Sequence, residues 1–473
     1  MLDRFFKLKE NGTNVRTEIV AGLTTFFTMS YIIFVNPTML SATGMSWGGV
    51  FVSTILAAVV GTLIMGLYAN IPYAQASGMG LNAFFTFTVC FGLGFSWQQA
   101  LALVIICGVL NIIVTVTKVR KQLILAIPKS LQKAIGGGIG LFIAYIGIKN
   151  AHFIDFTTDP QNVVATLEDG TVVSNSGIVP ALSNFTEAIA VVAALGLAIT
   201  IILMVLKVKG AILIGIIATT IVAIPFGLVT MPEKIFDISS VAAIQDTAFQ
   251  AFTPEGFGSL FNNIEKVPLV ILTVFIFSLS DMFDTIGTFI GTGRKSGIFS
   301  EEEEKKLMDG KGLKSRIEKG LLADSIATMT GGILGTSNVT TYVESSAGIG
   351  VGGRTGLTAV VVAILFLLCL PFAPLFGMVP AAATAPALIV VGILMMSSIK
   401  DIDWHDFSVA APAFLTVAMM PFAYSISYGL GIGFIFYCII KLFTGKAKEL
   451  HPIFIGATAL FLINFIIMGV MNL

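Results

Sequence analysis

Charge is what this chain has least of. Only 11% of its 473 residues are Asp, Glu, Lys or Arg, and 27 of each sign cancel to zero. A soluble domain carries about a quarter, so a soluble globular class is excluded. The absence of net charge also excludes a global basic face for nucleic acid. Histidine is almost missing: His152, His405 and His451 fall in loops or at span edges and form no metal set. The four cysteines, Cys90, Cys107, Cys369 and Cys438, lie in or beside apolar runs without CxxC spacing, so buried free thiols are expected rather than a zinc site or disulfides. No Gly-x-x-x-x-Gly-Lys-Ser/Thr sequence is present, and nothing points to ATP as a direct driver. Gly348-Ile-Gly350-Val-Gly-Gly353 fits G-x-G-x-x-G, but no strand–helix–strand unit of suitable length surrounds it. The opening Met1-Leu-Asp-Arg-Phe-Phe-Lys-Leu-Lys-Glu is too polar for a secretory leader, and the first span is expected to direct insertion.

Apolar residues fill the space. They make up 56% of the chain, with a mean hydropathy of +0.93. Apolar stretches fall near 17–40, 48–68, 79–94, 97–117, 134–149, 186–206, 210–229, 267–290, 320–334, 344–352, 357–377, 379–399, 406–443 and 452–471. A bilayer-crossing helix takes about 20 residues, so the chain reads as a polytopic membrane protein. The stretch 406–443 is broken at Tyr424-Ser-Ile-Ser-Tyr-Gly-Leu-Gly431 and reads either as one interrupted helix or as a hairpin. That leaves 14 or 15 crossings, and 14 are expected.

Positive charge sorts by side. Arg4, Lys7, Lys9 and Arg16 lie before the first span; Lys118, Arg120, Lys121, Lys129 and Lys133 follow the fourth; Lys207 and Lys209 follow the sixth. Residues 292–319 add Arg294, Lys295, Lys305, Lys306, Lys311, Lys314, Arg316 and Lys319. All follow an even number of crossings, which places them and the N-terminus in the cytoplasm. Residues 151–185 hold Asp155, Asp159, Glu168 and Asp169 without one Lys or Arg, and read with 230–264 as external loops.

The two halves echo each other. Ile127-Pro128-Lys-Ser-Leu-Gln-Lys-Ala-Ile-Gly136 has a counterpart in Val379-Pro380 through Gly392, each opening a helix with proline. Before each lies an interrupted segment: Ile71-Pro-Tyr-Ala-Gln-Ala-Ser-Gly78-Met-Gly80-Leu-Asn82-Ala-Phe-Phe, and Gly335-Thr-Ser-Asn-Val-Thr-Thr-Tyr-Val-Glu344-Ser-Ser-Ala-Gly348. Each predicts a short extended stretch turning into an apolar run too short to span alone. Matched broken segments in two halves point to a transporter's binding site. Backbone extended at membrane depth must be shielded from lipid, and a half-helix starting there offers unpaired N–H groups and a positive dipole end. With about seven spans per half, the halves would be inverted.

Four polar groups stand at that depth: Asn82, Asp281, Asp284 and Glu344. A carboxylate near the bilayer centre costs about 2.5–3.5 kcal/mol on insertion scales. No Lys or Arg lies mid-run to pair with them. Burial penalises their charge, which suits groups that take and give a proton. Asp281 and Asp284, three apart, share a helical face. Carboxylates that accept N–H donors, with an amide that both donates and accepts, suit a small flat heterocycle with several ring N–H and C=O groups. Thr28 or Phe26 of the first span is expected either to bond or pack within its own bundle or to face the same cavity, and Phe85 offers a stacking face. Asp324, beside a lysine-rich loop, reads as a capping or paired residue or as part of the site.

At these residues the chain resembles the AzgA-like hypoxanthine/guanine/adenine permeases of the nucleobase–cation symporter-2 or nucleobase–ascorbate group. The resemblance is most specific at Arg16 through Asn36-Pro37, Gly78-Met-Gly80-Leu-Asn82-Ala-Phe-Phe, Asp281-Met-Phe-Asp284-Thr-Ile-Gly-Thr, and Gly335 through Glu344-Ser. It implies an all-α, UraA-like fold of 14 transmembrane segments in two inverted repeats of seven, with short strands in segments 3 and 10. After a cytoplasmic 1–13, the repeats would span 14–230 and 265–473 around an external loop, 231–264. A core (14–120 and 265–377) would move against a gate (128–230 and 378–473) as an elevator, commonly in a homodimer. Asn82, Asp281 and Glu344 match the family's purine-binding positions, and Asp284 a supporting carboxylate. Thr28, Phe85 and backbone N–H groups near Val343 and Ser345 complete the expected cradle, with the proton on Asp281 or Glu344. Where many relatives have proline before the glycine of segment 3, this chain has Ser77.

The implied activity is import of purine bases (hypoxanthine, guanine and also adenine) through the plasma membrane by proton rather than sodium symport. No cofactor, metal or nucleic acid is implied. The rival reading is an anion channel or exchanger of the same 7+7 fold, which carboxylates at Asp281 and Glu344 disfavour. An intramembrane aspartyl protease is disfavoured by the spacing of three on one helix.

Overall fold

The computed structural model describes residues 2–117, 126–158, 163–166, 172–174, 178–262, 266–293, 296–299, 303, 313 and 315–471. The charges of Lys118, Arg120, Lys121, Asp159, Glu168, Asp169, Arg294, Lys295, Lys305, Lys306, Lys311 and Lys314 lie outside the described residues. Among those described, nine helical stretches are long and apolar enough to cross a membrane, and Met79–Gly92, Ala211–Ala223, Phe407–Phe422 and Pro452–Ile466 are shorter apolar helices. The chain is a helical, multi-pass membrane protein.

In chain order, α1 (Val15–Met29) and α2 (Ile32–Ser41) form one kinked span. The break falls at Ser30–Tyr31, and Pro37 inside α2 removes a further helical N–H. Next come α3 (Trp47–Ile64), strand β1 (Gln75–Ser77), the short α4 (Met79–Ala83) with its wider-wound continuation to Gly92, and α5 (Trp97–Val116). Helix α6 (Lys129–Asn150) follows Pro128. Helices α7 (Ala188–Val205), α8 (Ala211–Ala223) and α9 (Val267–Thr288) come next. The second half continues with α10 (Arg316–Leu334), strand β2 (Val339–Thr341), α11 (Ser345–Val351), α12 (Gly356–Cys369) and α13 (Ala381–Met396). The broken stretch after residue 406 folds as two helices, α14 (Phe407–Phe422) and α15 (Ile426–Phe443), packed on each other, and α16 (Pro452–Met471) follows.

One connection departs from the all-α expectation. Ile154–Thr158 pairs antiparallel with Ile178–Leu182, and Val163–Thr166 with Val172–Ser174. The loop reads as polar because of its acids, yet its Ile, Val and Thr residues favour an extended chain and hold two separate two-stranded sheets.

Helix α1 packs on α11 and α12, α3 on α10, α12 and β1, and α5 on α9 and α10. Helix α6 packs on α13 and α14, α7 on α8 and α13, and α8 on α13. The proline-started pair α6 and α13 thus meet directly. Glycine sets their spacing: a Cβ on Gly392 would lie 2.5 Å from the Gly140 carbonyl oxygen and 2.7 Å from the Ala144 backbone nitrogen. We therefore expect Gly392→Ala to cost about 1–3 kcal/mol by overpacking, read as a lower thermal unfolding midpoint in detergent. Gly456→Ala, whose Cβ meets nothing within 4 Å, should leave that midpoint unchanged.

Candidate functional site

Strands β1 and β2 come from different halves and pair antiparallel, with Ala76 opposite Thr340. Three residues each suffice because side chains finish the backbone's hydrogen bonding. The Gln75 N–H donates to the Thr62 hydroxyl (2.9 Å) and the Ala74 N–H to the Ser345 hydroxyl (3.0 Å). Backbone bonds from Gly78 N–H to the Asn338 carbonyl and from Tyr342 N–H to the Ala74 carbonyl, both 3.0 Å, close the ends. No edge is left for lipid. From these strands α4 and α11 start inside the bundle.

Glu344 stands at the head of α11, half-buried. Its Oε1 accepts the Tyr31 hydroxyl at 2.7 Å, and the Thr28 hydroxyl lies 3.4 Å from its carbonyl oxygen. Asp284 is exposed near the C-terminal end of α9, with the Thr340 hydroxyl in hydrogen-bonding reach and Glu344 as a neighbouring charge. A carboxylate exposed on an apolar spanning helix faces water rather than lipid. Gly287, Val343 (55% exposed), Ser346 and Gly350 are exposed beside these acids.

The other expected residues lie behind this face. Asp281 is fully buried; its Oδ2 accepts the Asn111 amide at 3.0 Å and the Thr328 hydroxyl at 2.8 Å. Three residues on a helix leave about 60° between side chains, and the edge of the exposed face falls between Asp281 and Asp284. Asn82 is buried, with its Oδ1 accepting the Ser337 hydroxyl, and Phe85 is buried in the apolar core. The Ser345 side chain is buried on Ala74, and its N–H donates to the Tyr342 carbonyl at 3.1 Å, so that donor is already used. Thr28 is half-buried and donates back to Thr25 at 2.8 Å. Phe26 is buried against Phe366.

Asp324 proves to be structural. Its Oδ1 accepts from the Gln75 amide (3.0 Å), the Thr285 hydroxyl (2.6 Å) and the Thr341 hydroxyl (2.9 Å), tying β1, α9 and β2 to α10. Gln75, Asn111, Thr328 and Tyr31 were not singled out as site residues. Their signal was a polar or phenolic group within an apolar run, without indication of which acid it would meet. Among the described residues no Lys, Arg or His forms an ion pair with Asp281, Asp284, Asp324 or Glu344, and no group of three or more His, Cys, Asp or Glu is placed to hold a metal.

Removing Asp324 would strand three buried donors, so Asp324→Ala should cost about 3 kcal/mol. Asp284→Ala, at an exposed position, should stay within about 0.5 kcal/mol. Thermal unfolding of the purified variants in detergent separates the two.

The chain is similar to known proteins in sequence and in fold. Adenine permease AdeP of Escherichia coli is 40% identical over 472 residues, covering 98% of this chain and 96% of that protein. Guanine/hypoxanthine permease PbuG of Bacillus subtilis is also 40% identical, covering 98% and 99%. The transmembrane domain of a cyanobacterial bicarbonate transporter, BicA, superposes with a TM-score of 0.60 over 89% of this chain and 97% of that one, at 14% identity, a likeness of fold alone. With paired broken segments around these acids, and a sequence that matches the family model over residues 16–432, the chain belongs to the Permease family.

Proposed function

We propose that this protein imports purine bases across the cell membrane by proton symport. The observation that carries the reading is the pair Asp284 and Glu344, one exposed and one half-buried beside the paired strands, neither with an ion-pair partner among the described residues. A purine presents ring N–H groups along its edges, and carboxylates accept them in the plane of the base. Tyr31 holds Glu344 from behind, and the exposed Val343 offers apolar contact to the ring. Asn82, Asp281, Phe85 and Ser345 then support the wall rather than touch the base, a different division of labour from the one the resemblance implies. The relatives' names, adenine and guanine/hypoxanthine permeases, support purines as the substrate class.

The architecture in this reading is 14 segments in two inverted repeats, with β1–α4 equivalent to β2–α11 and α6 to α13. Residues 14–120 and 265–377 form a core that slides against a gate of 128–230 and 378–473, with the N-terminus cytoplasmic and two copies in the membrane. An anion exchanger of the same fold is disfavoured, because two uncompensated carboxylates repel an anion at the half-helix heads.

The test is uptake of radiolabelled hypoxanthine, guanine and adenine by purine-auxotrophic cells expressing the protein. At least one base should accumulate, and Asp284→Ala and Glu344→Ala should each lower its uptake about 100-fold, as expected for loss of a charge-assisted hydrogen bond with its buried partner left unpaired. Wild-type rates in both variants would defeat the assignment.

A further inference from the structure

A cavity of about 400 Å³ lies between the kinked span α1–α2 and helix α8, with residues 369–379 supplying the rest of its wall. Its floor, Phe26, Ile33 and Phe34, is buried and belongs to the middle of the span Val15–Ser41. Its rim, Ile217, Ile221, Ile224 and Leu375, is exposed and continues the apolar outer surface of α8, where Ile214 is exposed too. In a multi-pass membrane protein that surface meets hydrocarbon. The wall itself is apolar almost throughout. The Thr220 hydroxyl is turned to the Ile216 carbonyl (2.8 Å), the Cys369 thiol to the Leu365 carbonyl (3.3 Å), and the Ser30 hydroxyl is covered. A purine finds no partner there for its ring N–H and C=O groups, and a water needs two or more polar partners. Left empty, a void of this size would forfeit stability on the scale of a whole domain's. The segment that crosses from α8 to the end of α12 points to the same medium. Met231, Ile235, Phe236 and Ile238 are all exposed. Phe236 meets Phe372 edge-on at 5.6 Å and the Asp237 N–H donates to the Pro371 carbonyl at 2.8 Å, which pins this segment beside the cavity wall. Large apolar side chains clustered in the open at the end of spanning helices mark a surface that sits among lipids.

We propose that one acyl chain of a membrane phospholipid occupies this cavity and packs between α8 and the kink of the first span. Ser30 lines the cavity, and the next residue, Tyr31, donates to Glu344 at 2.7 Å. The chain therefore backs the turn that holds the purine-binding acid, and this coupling rests on the purine-site reading above. In the division proposed there, α1, α2 and α12 belong to the core, while α8 and Val379 belong to the gate. The chain lies on the surface along which the two parts slide. A fluid chain repacks as they move, whereas a side chain anchored to one part cannot follow both.

The test uses full-length protein in vesicles of phosphatidylethanolamine and phosphatidylglycerol, with a phosphatidylethanolamine that carries a diazirine midway along one acyl chain. After irradiation, cross-links are mapped by mass spectrometry. The wild type should be cross-linked at the floor (Phe26, Ile33 or Phe34) as well as at the rim. Thr220→Phe places a ring in the cavity, so it should lose floor cross-links about tenfold or more and keep those at Ile221. Leu213→Phe, at another wall position, serves if Thr220→Phe does not fold. Wild-type cross-links confined to the rim, or floor cross-links unchanged in the folded filling variant, would overturn the proposal. So would floor labelling by a water-soluble diazirine, or by a diazirine fatty acid that excess phospholipid does not displace. Purine binding by the purified protein reads the coupling. Stripping lipid with a short-chain detergent should weaken it about fivefold or more in the wild type, with recovery on adding phospholipid, and leave Thr220→Phe unaffected. Wild-type binding that ignores lipid would defeat the coupling. A lipid-replete wild type that binds no purine defeats the purine-site reading instead, and the floor cross-links alone then decide the lipid site.

Discussion

Everything at the centre of this protein depends on six residues of extended backbone paired inside a membrane-spanning bundle. A spanning chain normally satisfies its backbone by being helical throughout. Here Gln75–Ser77 and Val339–Thr341 pair with one another instead, and hydroxyls of Thr62, Thr285, Thr328 and Tyr342 bond further strand backbone groups. That arrangement lets α4 and α11 begin in the interior, and it fixes Glu344 at a half-helix head. It also demands small, hydroxylated side chains around the strands, and those hydroxyls become the solvent of the buried acids.

The acids are handled without cations. Asp324 takes three hydroxyl and amide donors and serves as a rivet between the halves. Asp281 takes two and is left one short. Glu18 shows the same economy at the periphery, accepting the N–H groups of Arg354, Thr355 and Thr358 at the start of α12. Neutral donors at close range stabilise a carboxylate without fixing it permanently as a charge, which a salt bridge would do. Of the four acids around the paired strands, Asp284 is exposed and Glu344 half-buried.

Much of this was legible in the chain itself. Spans followed from apolar run length, and both short strands from the clustering of small and β-favouring residues before a glycine or an acid. The split between Asp281 and Asp284 was not legible, because both lie on the same broad helical face and only packing against Asn111 and Thr328 decides where the exposed edge falls. Asp324's role was hidden for a similar reason: its donors come from three separate elements. The two small sheets, Ile154–Thr158 with Ile178–Leu182 and Val163–Thr166 with Val172–Ser174, were masked by the loop's acidic residues.

The central claim is that the purine meets Asp284 and Glu344 while Asp281 stays behind the wall. A structure of the protein with a bound purine base, at a resolution that fixes the ring plane, tests it most directly. Density for the base is expected between the Asp284 and Glu344 carboxyls, with Asp281 still bonded to Asn111 and Thr328. A base in hydrogen-bonding contact with Asp281, and none with Asp284, would contradict it.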